Sequence, residues 1–101
     1  MSGLYLIIAR DNDNALQKRL AERPTHLAHV ESIGDRMKLA GPILNGDGGD
    51  PCGSFLLIEA DSLQEAETFA HNDPFNKAGV FKSVTVMPWR DSVGAWLPTQ
   101  R

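Results

Sequence analysis

The stretch ERPTHLAH, residues 22–29, sets His26 two positions after Pro24 and three before His29. An imidazole titrates near neutral pH, so His26 can take up a proton and return it. Two roles are open to it: general acid–base chemistry, or plain packing with the ring hydrogen-bonded locally. The second candidate is Asp73, in HNDPF at residues 71–75. An Asp ahead of a Pro is an ordinary helix N-cap, with Pro74 in the first helical position. A carboxylate beside an imidazole would also fix its tautomer and stabilise the imidazolium, and the two roles are compatible.

Other side chains have weaker claims. Arg23 could bind an anionic substrate, although a solvated charge is the ordinary state of an arginine. Ser54 follows Gly53 at the head of an apolar run, where its hydroxyl could orient a ligand or tie down the loop. No G-x-S-x-G pattern surrounds it, so it is not expected to act as a nucleophile. His26 and His29 have a spacing that could suit a metal, but a third ligand must come from elsewhere, and no metal is expected. His71 is accounted for by a favourable charge at a helix C-terminus. Cys52 is the one cysteine, with no Lys or Arg beside it in sequence. Neither a disulfide nor a reactive thiolate is expected of it. Gly46, Gly48, Gly49 and Gly53 lack the Gly-Lys-Ser/Thr of a phosphate loop.

These residues need elements to position them. The chain of 101 residues has room for one domain, read as residues 1–101 with an irregular tail from about residue 92. Net charge is -3 with no basic cluster, which argues against nucleic acid and against a membrane-binding face. The apolar run Leu4–Ala9 is too short for a signal-peptide core or a membrane span, and a cytoplasmic location is expected. GLYLIIA, residues 3–9, reads as a strand that is apolar on both faces. Asn14 is the expected cap of a helix that kinks or restarts at Pro24 and runs to about Met37. On a helical wheel His26 falls in one arc with Leu27, Val30, Ile33, Gly34 and Met37, while His29 lies on the flank. KLAGPILNG is a strand whose Pro42 marks it as an edge strand or a bulge. SFLLIEA is a third strand. DSLQEAETFAH is a helix capped by Ser62, with Glu65 completing a capping box and an inner stripe of Leu63, Ala66, Phe69 and Ala70. VFKSVTVMPWR is a fourth strand.

The order strand, helix, strand, strand, helix, strand is the split βαβ, or ferredoxin-like, arrangement of an α+β fold. Two right-handed crossovers place both helices on one face of an antiparallel sheet. Yet the strands are apolar on both faces. Tyr5, Ile7, Phe55, Leu57, Phe81, Met87 and Trp89 all need cover, and parity alone does not say which of them face the helices. The uncovered face predicts a homodimer with two sheets packed face to face.

LYLIIARD, RPTHLAHV at 23–30, LAGPIL at 39–44, GSFLLIEADSLQEAETFAHNDPF at 53–75 and GVFKSVTVMPW at 79–89 together resemble the YciI-like family, over nearly the whole chain short of the tail. The combination R-P-x-H-L, A-G-P and N-D-P-F ahead of A-G-V carries the likeness. The resemblance implies a ferredoxin-like fold assembled as a dimeric α/β barrel. It also implies a site built from His26 and Asp73, with Gly41, Pro42 and Ser54 lining the same pocket. His29 is outside the motif. One relative is a dehydrochlorinase acting on chlorinated hydroxyhydroquinones, and the wider group includes muconolactone isomerases and cofactor-free monooxygenases. The resulting expectation is a small enzyme without a cofactor, using His26 and Asp73 for elimination or isomerisation of a small oxygenated metabolite, cyclic or aromatic. The alternative is a non-catalytic metabolite-binding or accessory dimer. A haem protein with His26 as axial ligand is the weakest of the three.

Overall fold

The computed structural model describes residues 2–97. Its elements in chain order are β1 (Gly3–Asp11), α1 (Leu16–Glu31), β2 (Met37–Leu44), β3 (Pro51–Ala60), α2 (Leu63–His71), α3 (Pro74–Lys77) and β4 (Phe81–Trp89). A short 3-10 turn, Gly34–Arg36, leads into β2. The four strands form one sheet in the order β2-β3-β1-β4, antiparallel at every pair. This is the expected ferredoxin-like βαββαβ topology, with α3 as an added turn after α2.

The second helix starts as its sequence predicts. Ser62 Oγ accepts from the Glu65 amide at 3.1 Å. The Glu65 carboxylate reaches back to the Asp61 amide at 3.0 Å, one residue earlier than in a standard capping box. β2 lies at the edge of the sheet, where Pro42 removes no ladder bond that a further strand would need. Its pairing with β3 slips between Met37 and Leu39 and again between Ile43 and Leu44.

The first helix departs from expectation in three ways. It runs unbroken through Pro24 instead of kinking or restarting. Leu20, whose carbonyl loses its amide partner, is 51% exposed, so the missing bond falls on the outer face of the helix, where water can reach. The helix is capped at Ala15 with no side-chain bond, while Asn14 takes a left-handed turn at φ 61°, a conformation that asparagine tolerates. The helix also stops at Glu31 rather than near Met37: Gly34 sits at φ 55°, and Met37 begins β2. The buried residues of α1 are therefore Arg19, His26 and Val30, and Leu27 lies toward solvent.

The structure resolves the parity of the sheet. Ile7, Leu56, Ile58 and Ala60 pack with Val30, Ala66 and Ala70 under the helices, with Tyr5, Val84 and Val86 against them. Ala9, Ala15, Phe75, Val80 and Phe81 form a second cluster beside it. Tyr5, Ile7 and Phe81 thus need no further cover. Strand alternation puts Leu4, Leu6, Ile8, Phe55, Leu57, Met87 and Trp89 on the other face. There Leu6 lies opposite both Leu57 and Met87, Ile8 opposite Phe55, and Leu4 opposite Trp89.

Candidate functional site

The first turn of α3 brings Asp73 to its place. Its carboxylate caps that helix, with Oδ1 accepting from the Phe75 amide at 2.9 Å. The same oxygen lies 2.8 Å from His26 Nδ1, and Oδ2 lies 3.1 Å from it. Cap and orienting carboxylate are one group, as the two compatible roles allowed. Asp73 is 3% exposed and His26 9%. A carboxylate accepts only, so Nδ1 carries the proton and Nε2 presents its lone pair. Among the described residues Nε2 has no hydrogen-bond partner. No buried side-chain nitrogen or oxygen among the described residues is unpartnered, so Nε2 reaches solvent. The imidazole is held flat on Phe75, with ring centres 4.0 Å apart and planes 12° from parallel. Phe75 is itself fixed by an edge contact to Phe81 at 5.8 Å.

A second polar cluster adjoins the same phenyl ring. Arg19 lies two helical turns before His26 on the inner stripe of α1, and its guanidinium carbon sits 4.5 Å from the centre of the Phe75 ring. Its Nε donates to Asp11 Oδ2 at 2.8 Å and its Nη2 to Asp11 Oδ1 at 2.9 Å. Nη2 also donates to Ser54 Oγ at 2.9 Å. Arg19 and Ser54 are 4% and 2% exposed. Asp11 is the last residue of β1, and Ser54 lies in β3, whose pairing with β1 runs through Ala9 opposite Ser54. The bidentate clamp fixes the guanidinium in place. Nη1 has no partner among the described residues and, by the same reasoning as for Nε2, reaches solvent. The Ser54 hydroxyl accepts from Arg19 and keeps its own proton to give. One phenyl ring therefore touches the His26 imidazole at one contact and the Arg19 guanidinium at another.

Sequence reasoning missed Arg19 and Asp11. No local motif singles out Arg19, and an arginine is ordinarily exposed. The signal available was its seven-residue spacing from His26, which puts both on one helical stripe. Arg23, the arginine singled out instead, is exposed and joins none of the hydrogen bonds or ion pairs of the described residues. Gly41 and Pro42 lie exposed on the edge strand, with Pro42 opposite Ser54 and Gly41 opposite Phe55. His29 stacks on Phe69 at 4.2 Å and bonds its carbonyl through Nε2 at 2.9 Å, tying α1 to α2 away from the dyad. Among the described residues no three His, Cys, Asp or Glu side chains gather as metal ligands.

Two hollows lie apart from the dyad. One, of about 520 Å³, is an open groove between α1 and α2 beside His29 and Phe69. The other, of about 820 Å³, lies on the uncovered sheet face beneath the tail. Near it, the Ser2 hydroxyl and the Lys38 ammonium hold the Glu59 carboxyl below its usual range.

Comparison with known proteins adds sequence and structural relatives. The model of the YCII-related domain matches residues 3–90. Protein YciI of Escherichia coli O6:H1 is 39% identical over 94 residues, covering 86% of this chain and 96% of that protein. An uncharacterized protein of Haemophilus influenzae is 37% identical over 93 residues, covering 85% of this chain and 95% of its own. Among solved structures, the 5-chloro-2-hydroxyhydroquinone dehydrochlorinase of Burkholderia phenoliruptrix, in complex with 2,5-dihydroxybenzoquinone, matches with a TM-score of 0.81 and 38% identity over 86% of this chain and 93% of that one. A dimeric protein of ferredoxin-like fold from Bacteroides fragilis matches with a TM-score of 0.53 at 14% identity over 89% and 96% of the two chains, a likeness of fold alone.

Proposed function

The chain belongs to the YCII-related domain family, and on that premise we propose that it is a small acid–base enzyme in which His26 removes a proton and Arg19 with Ser54 steadies the resulting oxyanion. The reading rests on one observation above the others: the Asp73 carboxylate lies within hydrogen-bond distance of His26 Nδ1, an arrangement that in the neutral imidazole puts the proton on Nδ1 and the lone pair on Nε2.

The proposed reaction begins at His26. Nε2 takes a proton from a substrate C–H or O–H conjugated with a carbonyl. The electron pair left behind moves onto the carbonyl oxygen. Arg19 Nη1–H and Ser54 O–H donate to that oxygen as it gains charge, and Asp11 keeps the guanidinium from turning. Donors fixed before the charge develops need no reorganisation when it does. When the carbonyl re-forms, the pair either expels an anionic leaving group, which is elimination, or takes the proton back from the imidazolium at another atom, which is isomerisation. These steps call for no cofactor.

The substrate class is a small oxygenated ring. The dehydrochlorinase of B. phenoliruptrix, whose complex holds a dihydroxybenzoquinone, supports it. So does the nearness of the His26 imidazole and the Arg19 guanidinium to one phenyl ring. The uncovered apolar sheet face supports a homodimer, as does the dimeric ferredoxin-like neighbour. The net charge of -3 and the lone thiol fit a cytoplasmic metabolite enzyme. No helix among the described residues is long and apolar enough to cross a membrane.

The test is turnover of hydroxyquinones, chlorinated hydroxyhydroquinones and lactones by wild type and His26→Ala, followed by mass analysis. General-base loss is expected to slow turnover by about 10²–10⁴-fold. Equal turnover by both proteins ends the role of His26. A ligand that raises the melting temperature and is recovered unchanged from the wild type points instead to a binding module.

A further inference from the structure

Phe75 is a core side chain, 1% exposed, on a helix of four residues. Its neighbours are polar as well as apolar. Its amide donates to Asp73 Oδ1 at 2.9 Å, the same oxygen that lies 2.8 Å from His26 Nδ1. Its ring stacks on the His26 imidazole, with centres 4.0 Å apart and planes 12° from parallel. The Arg19 guanidinium carbon sits 4.5 Å from the same ring centre. The orienting carboxylate, the proposed base and the proposed oxyanion donor all bear on this one residue. Phe75 is in turn held in place. The Val80 amide donates to its carbonyl at 2.9 Å, and Phe81 meets its ring edge-on at 5.8 Å. Asn12 pins the turn that carries Val80. Its amide donates to the Val80 carbonyl at 2.8 Å, and its Nδ2 donates to the carbonyls of Gly79 and Phe81 at 3.0 and 3.1 Å. Asn12 directly follows Asp11, which clamps Arg19. Two adjacent residues at the end of β1 therefore fix both the guanidinium and the loop behind the ring.

We propose that Phe75 is a positioning residue for the reaction, a rigid spacer that sets the His26 imidazole and the Arg19 guanidinium at a fixed separation. The proposal rests on the acid–base reading of the site and deepens it. Asp73 bonds the imidazole at Nδ1 alone, and a ring held at one atom is still free to pivot. A flat ring stacked against it removes that freedom. Asp11 fixes the plane of the guanidinium, and the phenyl contact sets its place relative to the imidazole. A phenyl ring suits both partners, since it stacks on an aromatic ring and attracts a cation. An aliphatic side chain of similar bulk would fill the space and do neither. Base and donor serve one substrate only if their separation matches it, and a misplacement of about 1 Å costs about 10²-fold in rate.

Phe75→Leu keeps the backbone amide that Asp73 accepts from and removes the flat face. It is compared with wild type, with His26→Ala, and with Ile58→Val in the core cluster under the helices, a control for lost stability alone. kcat and KM are measured on the hydroxyquinones, chlorinated hydroxyhydroquinones and lactones of the turnover test. Phe75→Leu is expected to lower kcat by about 10²-fold with KM little changed. Ile58→Val is expected to lower the urea midpoint and leave kcat alone. Wild-type kcat in Phe75→Leu beside a large loss in His26→Ala overturns the spacer and leaves the acid–base reading standing. Equal turnover by wild type and His26→Ala, or none by either, overturns that reading and the part of Phe75 in it. A loss confined to KM makes the ring a binding surface, and a kcat loss as large in Ile58→Val makes the effect one of stability. Either overturns the spacer.

Proton magnetic resonance of the His26 ring reads the stacking without turnover. A phenyl face shields what lies over it, so the carbon-bound protons of His26 are expected upfield of those of an unstacked histidine in the wild type. The Nδ1 proton, held by Asp73, is expected to exchange with water slowly enough to be seen. Both signals are assigned by their absence from His26→Ala. Phe75→Leu is expected to move the carbon-bound protons downfield and to broaden the Nδ1 signal, while Ile58→Val leaves both in place. Unmoved His26 signals in a folded Phe75→Leu chain overturn the proposal. If that chain does not fold, the wild type alone suffices, since His26 ring protons at the unstacked position overturn it equally.

Discussion

At the scale of the residue, the proposed unit of function is His26 with Asp73, which turns on which nitrogen holds a proton. Asp73→Asn keeps a side chain that caps α3 but can present an N–H to Nδ1, favouring the wrong tautomer. Turnover is expected to fall by about 10²–10⁴-fold with little change in the urea midpoint, and a large loss of stability with turnover intact would contradict the tautomer argument. Arg19→Lys keeps a cation opposite Asp11 but loses the fork and the Nη1 donors. Loss of one such donor is expected to lower kcat by about 10²–10³-fold, read from steady-state kinetics beside a circular dichroism check of folding. A lysine variant with normal kcat would remove Arg19 from the oxyanion role. His26 and Asp73 were both legible as candidates in the sequence, since Asp-Pro and Pro-x-His are local patterns. Arg19 and Asp11 were not, because their value lies in a contact between a strand end and a helix interior that no local pattern announces.

At the scale of the element, α1 is a 16-residue helix that tolerates a proline to keep Arg19, His26 and Val30 on one stripe. An interior proline costs about 3 kcal/mol against alanine, offset in part because it also restricts the unfolded chain. Pro24→Ala is therefore expected to raise stability by about 1–3 kcal/mol in urea unfolding, and a loss would show that the proline sets the helix geometry. Gly53 is the strand position with least latitude: a Cβ there would meet the Ala9 carbonyl oxygen at 2.5 Å and Ile43 Cδ1 at 3.3 Å. Gly53→Ala is expected to cost about 1–3 kcal/mol and to lower turnover with it, because β1 and β3 must part beside Ser54. An alanine variant with wild-type stability and rate would contradict the close approach. Element types and order were legible because apolar periodicity is local. The unbroken passage through Pro24, the early stop near Gly34 and the unaided cap at Ala15 were not, since each depends on which helix face water reaches.

At the scale of the whole molecule, a sheet with helices on one side leaves the other side apolar. If a second copy covers it, the melting temperature must rise with protein concentration, because mass action adds to stability. A midpoint constant over a hundredfold dilution series, with sedimentation reporting monomers, would contradict the dimer. Glu59 gives the same face a pH sense. Its carboxyl is held below the usual range, so the ionised form is favoured in the fold. That contribution is present above the unfolded carboxylate range and is lost as pH falls through the lowered value. Glu59→Gln should flatten the acid limb of the stability–pH curve slightly, the group being partly open to solvent.

The sequence alone determined the order and type of the elements, the edge position of β2, the caps at Ser62 and Asp73, and the two residues with acid–base potential. All of these are written in spacing and in turn chemistry, which act over a few residues. The tertiary structure alone decided that positions 26 and 73 meet at 2.8 Å, that Arg19 is clamped by Asp11 and Ser54, and which strand faces the helices cover. Those outcomes depend on strand register and helix docking, which join residues far apart in the chain. A side chain has no partner until the fold supplies one.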